Sequence, residues 1–215
     1  MKKVVRKRAY KKPARQVPAL PRIVLVDADV FFGARLRDIF IHMHEEDVLR
    51  VRWTAEIEDE WTRNVLKHPG VDQRGIRACV EGMRSAVPGW EVVDYKQYKA
   101  KFSAVRAKDQ HVAAASYKLA RDEDEAAVAL VTKNVDDFPP RAFRGTGVTR
   151  FSAAEYLTKL YHESPHEVLR VFEICRAKLK KPELDKLGYI EVLRSHGCEV
   201  LATAVETQWQ VTPKM

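Results

Sequence analysis

The stretch Ile23-Val24-Leu25-Val26-Asp27 decides the fold. Four consecutive apolar residues, three of them β-branched, are typical of a strand buried on both faces of a parallel sheet. The run ends at an acid, and Asp29 follows two positions later. A second apolar run, residues 128–132, is followed by a polar turn in the same manner. Both patterns predict buried strands whose carboxyl ends carry polar side chains.

Helical and strand periodicities alternate around these two runs. The five predicted strands are residues 23–26, 48–53, 90–93, 128–132 and 147–149, the last at an edge. The five predicted helices of this region are residues 30–44, 55–66, 72–86, 109–120 and 152–162, and residues 95–106 fit either a short helix or a loop. This alternation predicts an α/β fold, a three-layer α/β/α sandwich with a central parallel sheet.

The two ends of the chain differ from this central region. Residues 1–22 carry nine Lys or Arg and no acid, so the rest of the chain, with 29 basic and 30 acidic residues, is nearly neutral. We expect this tail to be disordered or to run along the surface, either as a salt-dependent phosphate-binding arm or as a solvated leader. Residues 23–163 form the predicted domain, and residues 164–215 form a helical extension of two helices with a break near Lys181-Pro182.

Composition excludes several classes of protein. Hydrophobic residues make up 46% of the chain and charged residues 32%, which is ordinary for a globular protein. The three cysteines are odd in number and far apart, which argues against a disulfide framework or a structural zinc site. No apolar run is long enough for a membrane span, and no glycine-rich nucleotide loop or G-x-S-x-G motif is present. We expect a soluble, cytoplasmic protein without membrane contacts.

Acidic and polar side chains follow the predicted strands from four separate segments. They are Asp27 and Asp29, Glu56 and Glu60, Asp109, and the group Thr132, Asn134, Asp136 and Asp137. Ligands of open parallel sheets bind outside the carboxyl ends of the strands, so these side chains are expected to converge. Converging carboxylates repel one another unless a cation lies between them, and oxygen ligands suit Mg²⁺ or Mn²⁺. Such an ion can activate water for phosphodiester hydrolysis.

Each acid also has a simpler interpretation. Asp27 and Asp109 fit helix N-caps, because each precedes a helical pattern. Glu56 and Glu60 fit a solvated helix face, and Asn134 and Asp137 fit a turn before Pro139. Their shared position after the strands favours the metal site.

Four segments resemble the conserved motifs of PIN domains, in the right order over residues 23–160. They are IVLVDADV at residues 23–30, WTAEIEDEW at 53–61, KDQHVAAA at 108–115 and VTKNVDDFP at 131–139. The resemblance implies a metal-dependent endoribonuclease that cuts single-stranded RNA, as the VapC-like toxins of toxin–antitoxin pairs do. An antitoxin protein is then a further partner, and the exposed sheet edge allows a homodimer.

The resemblance also implies a role for each acid. Asp27, Glu60, Asp109 and Asp137 correspond to the family's acidic quartet around the metal. Asp29, Glu56, Thr132, Asn134 and Asp136 are supporting residues, with the choice between Glu56 and Glu60 and among Asn134, Asp136 and Asp137 left open. His111 is expected to pack near Asp109 and not to act as a general base. The alternative function is a non-catalytic nucleic-acid or protein-binding module on the same fold.

Overall fold

The computed structural model of the protein describes residues 19–123, 127–179 and 183–211. Its strands are β1 (Ile23–Val26), β2 (Arg50–Arg52), β3 (Val128–Val131) and β4 (Val148–Phe151). The helices are α1 (Ala28–Phe32), α2 (Ala34–Glu45), α3 (Ala55–Val65), α4 (Gln73–Ala86), α5 (Gln110–Asp122), α6 (Ala153–Glu163), α7 (Pro165–Lys178), α8 (Lys186–Ser195) and α9 (Glu199–Trp209). Short 3-10 helices, including Lys96–Phe102, lie between α4 and α5.

The four strands form one parallel sheet in the order β2-β1-β3-β4. Ile23 lies beside Arg50 on one side and beside Val128 on the other. Every residue of β1 and β3 is buried, as their apolar sequences predict. The chain leaves β1 towards one edge and later returns to form β3 on the other side. The switch point of the sheet, where ligands of such folds bind, therefore lies between the carboxyl ends of β1 and β3.

Helices cover both faces of this sheet. Helix α5 packs on β1, β3 and β4, whereas α2 packs on β2 and α6 packs on β4. Phe40 of α2 and Tyr156 of α6 are in contact, with ring centroids 6.3 Å apart, so these two helices share a layer. The predicted α/β/α sandwich with a central parallel sheet is thereby confirmed. Ser152 caps α6, since its side chain accepts a hydrogen bond from the Glu155 amide at 3.1 Å.

Two predicted elements are wrong in detail. The single helix of residues 30–44 is two helices, because the chain has extended dihedral angles at Gly33 between α1 and α2. The predicted strand at 90–93 is reduced to a single bridge between Trp53 and Glu91. The chain leaves the sheet after this bridge, where Val93 is 52% exposed and Asp94 takes a positive φ of 56°. The sheet consequently has four strands in the described residues, not five.

Residues 19–22 and the described helices of the extension pack against the same core as the sheet. The extension contains three helices among the described residues, α7, α8 and α9, and the predicted break at Lys181-Pro182 lies outside those residues. Helix α7 packs on α2, so the extension is part of the domain's core. Of the predicted tail, residues 19–22 are described, and Leu20 is buried, with its amide donating to Glu163 at 2.9 Å.

No helix in the described parts of the chain is both long enough and apolar enough to cross a membrane.

Candidate active site

Asp27 lies at the switch point, directly after β1. Its amide donates to the Val131 carbonyl at 2.9 Å, which holds the ends of β1 and β3 together. Its side chain accepts a hydrogen bond from the Ala28 amide at 2.7 Å, so Asp27 does act as the N-cap of α1. Burial, and then the negative charge of Asp29, raise the pKa of Asp27 to about 8, and Glu60 adds to the effect.

Asp29 connects the first motif with the last. Its carboxylate accepts hydrogen bonds from the Thr132 hydroxyl at 3.1 Å, from the Lys133 amide at 3.0 Å and from the Asn134 side chain at 3.0 Å. Burial raises the pKa of Asp29 in spite of these donors, which favour its charged form. Thr132 and Asn134 therefore orient an acid, which is a supporting role.

Glu60 faces the other acids. Burial, and then the charge of Asp109, raise its pKa, with a smaller contribution from Asp29. Glu60 and Asp29 line the same groove, which has a volume of about 440 Å³. On its other side, a Glu60 oxygen lies 3.6 Å from Nε2 of His111.

Glu56 contacts a different set of side chains from Glu60, although it lies one helical turn from it. It accepts a hydrogen bond from the Tyr95 hydroxyl at 2.9 Å, and Lys99 lies 3.4 Å away. Partial burial raises the pKa of Glu56, but His111, Tyr95 and Lys99 outweigh it and the net shift is downward. Glu56 borders a separate cavity of about 1030 Å³.

His111 lies between the two glutamates of α3, with Nδ1 4.0 Å from Glu56 and Nε2 3.6 Å from Glu60. Burial lowers its pKa, which favours the neutral ring. The carboxylates within 4.0 Å of the His111 ring thus belong to another helix, α3, and the expectation that His111 lies near Asp109 stays a prediction.

Asp109 stands in the N-cap position of α5, but its side chain makes no capping hydrogen bond. Its Oδ2 atom is buried and has no hydrogen-bond partner. The nearest described cation, the Lys108 ammonium, lies 3.9 Å from Oδ1. Burial raises the pKa of Asp109, Lys108 lowers it, and the charges of Asp137 and Asp29 raise it further. The capping interpretation therefore fits Asp27 and does not fit Asp109.

Asp137 and Asp136 differ in environment. Asp137 is mostly buried, pairs with Arg106 at 2.8 Å and raises the pKa of Asp109. Asp136 is exposed. Of the two, Asp137 is the one that interacts with the acidic cluster, and Arg106 is a site neighbour that the motif comparison did not single out.

The acids that influence one another electrostatically come from four segments of the chain. They are Asp27, Asp29, Glu60, Asp109 and Asp137. Within the described ranges, no three His, Cys, Asp or Glu side chains are already arranged as ligands of a metal ion. The five acids nevertheless offer only carboxylate oxygens as donor atoms, which suit Mg²⁺ or Mn²⁺. The Oδ2 atom of Asp109, which has no hydrogen-bond partner, is free to bind such an ion.

Comparison with known proteins gives no match to a protein-family model, to a curated protein or to a solved structure.

Proposed function

We propose that the protein is a metal-dependent endoribonuclease of the PIN-domain type, which hydrolyses phosphodiester bonds of single-stranded RNA. The acids of the site are Asp27, Glu60, Asp109 and Asp137, and Asp29, Thr132 and Asn134 support them. Glu56 and Asp136 have no part in the proposed metal site, because Glu56 is paired elsewhere and Asp136 is exposed.

The observation that carries the proposal is the environment of Asp109. A buried carboxylate oxygen without a partner is destabilising, and nearby acids add repulsion. A structural role as a helix cap would supply a partner, but the Asp109 side chain does not cap α5. A divalent cation would supply the missing partner and offset the repulsion at the same time.

In this proposal, the residues of the site would have separate roles. Asp27, Glu60 and Asp109 would hold Mg²⁺ or Mn²⁺, with Asp137 as the fourth acid of the site, and Asp29 is fixed beside them by Thr132 and Asn134. The bound metal supplies activation of a water molecule and stabilises charge on the phosphodiester oxygens. The deep position of Asp27, which is 8% exposed, keeps bulk water from competing for its oxygens.

The two glutamates of α3 provide the test. We expect Glu60→Gln to slow metal-dependent cleavage of a single-stranded RNA by about 100-fold, because it removes a metal-facing carboxylate. Glu56→Gln should cause a much smaller loss, because Glu56 is engaged by Tyr95 and Lys99. The measurement is the initial rate of oligonucleotide cleavage in Mg²⁺ or Mn²⁺, with the exposed Asp59→Asn variant of the same helix as a control. Equal rates for Glu60→Gln and wild type would contradict the proposal.

The finer biological role is that of a cytoplasmic toxin whose partner is an antitoxin protein. Its support is the order and spacing of the four motifs between residues 23 and 139. Strand β4 lies at the edge of the sheet, where a homodimer would pair.

A non-catalytic nucleic-acid or protein-binding module is the second candidate. The ion pair of Arg106 with Asp137, and Lys108 beside Asp109, favour it because two acids of the quartet already have cationic neighbours. This second candidate predicts that RNA or protein binding does not depend on Mg²⁺ or Mn²⁺. Metal-dependent cleavage by the wild type, lost in Glu60→Gln, would exclude it.

A further inference from the structure

We propose that the groove between α1 and the end of α3 is a subsite for one nucleotide of single-stranded RNA, with its base on Phe32 and His68 and its phosphate near Lys67 and Lys133. This subsite rests on the proposed function, since it would hold the nucleotide next to the cleaved phosphodiester. It assigns binding roles to Phe32, Lys67 and His68, which lie outside the four motifs, and to Lys133, which lies within the last.

The groove is continuous with the acidic cluster. Its walls include Asp29 and Glu60, together with Phe32, His68, Lys67 and Lys133. Its volume of about 440 Å³ lies within the range of about 300–1,000 Å³ that is typical of small-ligand sites. A strand whose phosphate reaches the carboxylates would therefore place a neighbouring nucleotide in this groove.

Two neighbouring rings of the groove, those of Phe32 and His68, are suited to stack on a base. Phe32 is 38% exposed at the end of α1, although most aromatic rings of the chain's described parts are buried. Its ring centroid lies 5.3 Å from that of His68, with the two planes at 53°. A single exposed apolar side chain needs no explanation, but here a second ring lies beside it in the same groove. Stacking on aromatic rings is a common way for proteins to bind unpaired bases.

The charges of the groove agree with a nucleotide and not with an apolar peptide. Lys67 donates to Asn64 at 2.9 Å and remains exposed, and the side chain of Lys133 is exposed as well. Two ammonium groups provide contacts for phosphate oxygens, whereas Asp29 and Glu60 would repel a phosphate unless a cation neutralised them. The same groove therefore offers aromatic rings for a base, ammonium groups for phosphate oxygens and, at one end, acids of the proposed metal site.

The experiment measures binding separately from cleavage. The full chain is titrated into a fluorescein-labelled single-stranded RNA oligonucleotide with Ca²⁺ in place of Mg²⁺ and Mn²⁺, and fluorescence anisotropy gives the Kd. Gel electrophoresis checks that the RNA stays intact. The variants are Phe32→Ala, Phe32→Trp and, as the matched control, Leu66→Ala, since Leu66 is 37% exposed but lies outside this groove. Thermal melting shows that each variant is folded.

We expect Phe32→Ala to raise the Kd about tenfold, in keeping with the loss of one stacked base. Phe32→Trp should bind with the affinity of the wild type, because it keeps an aromatic ring at this position, and Leu66→Ala should also leave the affinity unchanged. An oligonucleotide with 2-aminopurine at successive positions should show quenching at one position that disappears in Phe32→Ala. A structural role for Phe32 would not produce this position-dependent signal.

The outcomes separate this subsite from the hydrolytic function. If Phe32→Ala binds RNA as tightly as wild type, or wild type binds none, the subsite is refuted, whatever the cleavage assay gives. If binding depends on Phe32 but no RNA is cleaved in Mg²⁺ or Mn²⁺, the subsite stands and the nuclease assignment is refuted.

Discussion

At the scale of single residues, the site is defined by carboxylates that are costly to keep charged. Asp27 is buried beside Asp29, and its pKa is raised to about 8 from an ordinary 3.8. A group whose pKa is higher in the folded state binds its proton more tightly when folded. Its contribution to stability is complete below about pH 4 and is lost as the pH rises through about 8.

The corresponding prediction concerns Asp27→Asn in the absence of metal. With EDTA present, the free energy of unfolding of the wild type should fall between pH 5 and 8, in the window set by a pKa of about 8, and Asp27→Asn should flatten this fall. Urea denaturation at several pH values measures it, with the exposed Asp59→Asn variant as a control. Identical pH dependence in wild type and Asp27→Asn would mean that Asp27 is not protonated in the folded protein.

Part of this site was predictable from residue types, and part was not. The positions of Asp27 and Asp109 before helical patterns predicted either caps or ligands, and only the packed structure distinguishes them, since one side chain caps and the other does not. Glu56 and Glu60 share a helix face in the sequence. What separates them is the hydroxyl of Tyr95 and the ammonium of Lys99, which are 39 and 43 residues from Glu56.

At the scale of elements, the buried strands were predictable because β1 and β3 consist wholly of apolar residues. The segment at 90–93 looks similar in sequence, but Trp90 packs against Trp53 instead, with ring centroids 5.0 Å apart, and the backbone pairs at one position only. The break at Gly33 was missed because apolar spacing continues through it. The packing of Trp90 on Trp53 is a contact between distant residues, which local sequence patterns do not contain.

The extension provides the prediction at this scale. Phe172 of α7 is fully buried and packs near Tyr189 of α8, with ring centroids 6.4 Å apart. Phe172→Ala should therefore cost about 3–5 kcal/mol of unfolding free energy, as large-to-small core changes do. Val200→Ala, at a position that is 45% exposed on α9, should cost little. Chemical denaturation followed by tryptophan fluorescence measures both. A cost below about 1 kcal/mol for Phe172→Ala would show that the extension packs loosely.

At the scale of the whole molecule, charge is unevenly distributed. The net charge of +8 belongs to the first 22 residues, and the remainder is nearly neutral. At the end of this basic segment, the Leu20 amide and the Arg22 side chain contact Glu163 of α6. A basic arm on a neutral domain should add RNA affinity that is independent of sequence and sensitive to salt.

Deletion of residues 1–18, which leaves Leu20 and Arg22 in place, tests whether the basic arm contributes to RNA affinity. We expect the deletion to flatten the dependence of log Kd on log salt for single-stranded RNA, because each phosphate contact contributes a slope of about +0.7. The cleavage rate at saturating RNA should stay close to that of the full chain. An unchanged salt slope would show that the arm does not contact RNA.

The central claim is that Asp109 and its acidic neighbours hold a divalent cation, and Mn²⁺ titration followed by electron paramagnetic resonance tests it most directly. The signal of free Mn²⁺ should be depleted saturably by the wild type and by the Asp59→Asn control, whereas Asp109→Asn should bind at least about tenfold more weakly. Mn²⁺ uptake by Asp109→Asn that matches the wild type would contradict the account.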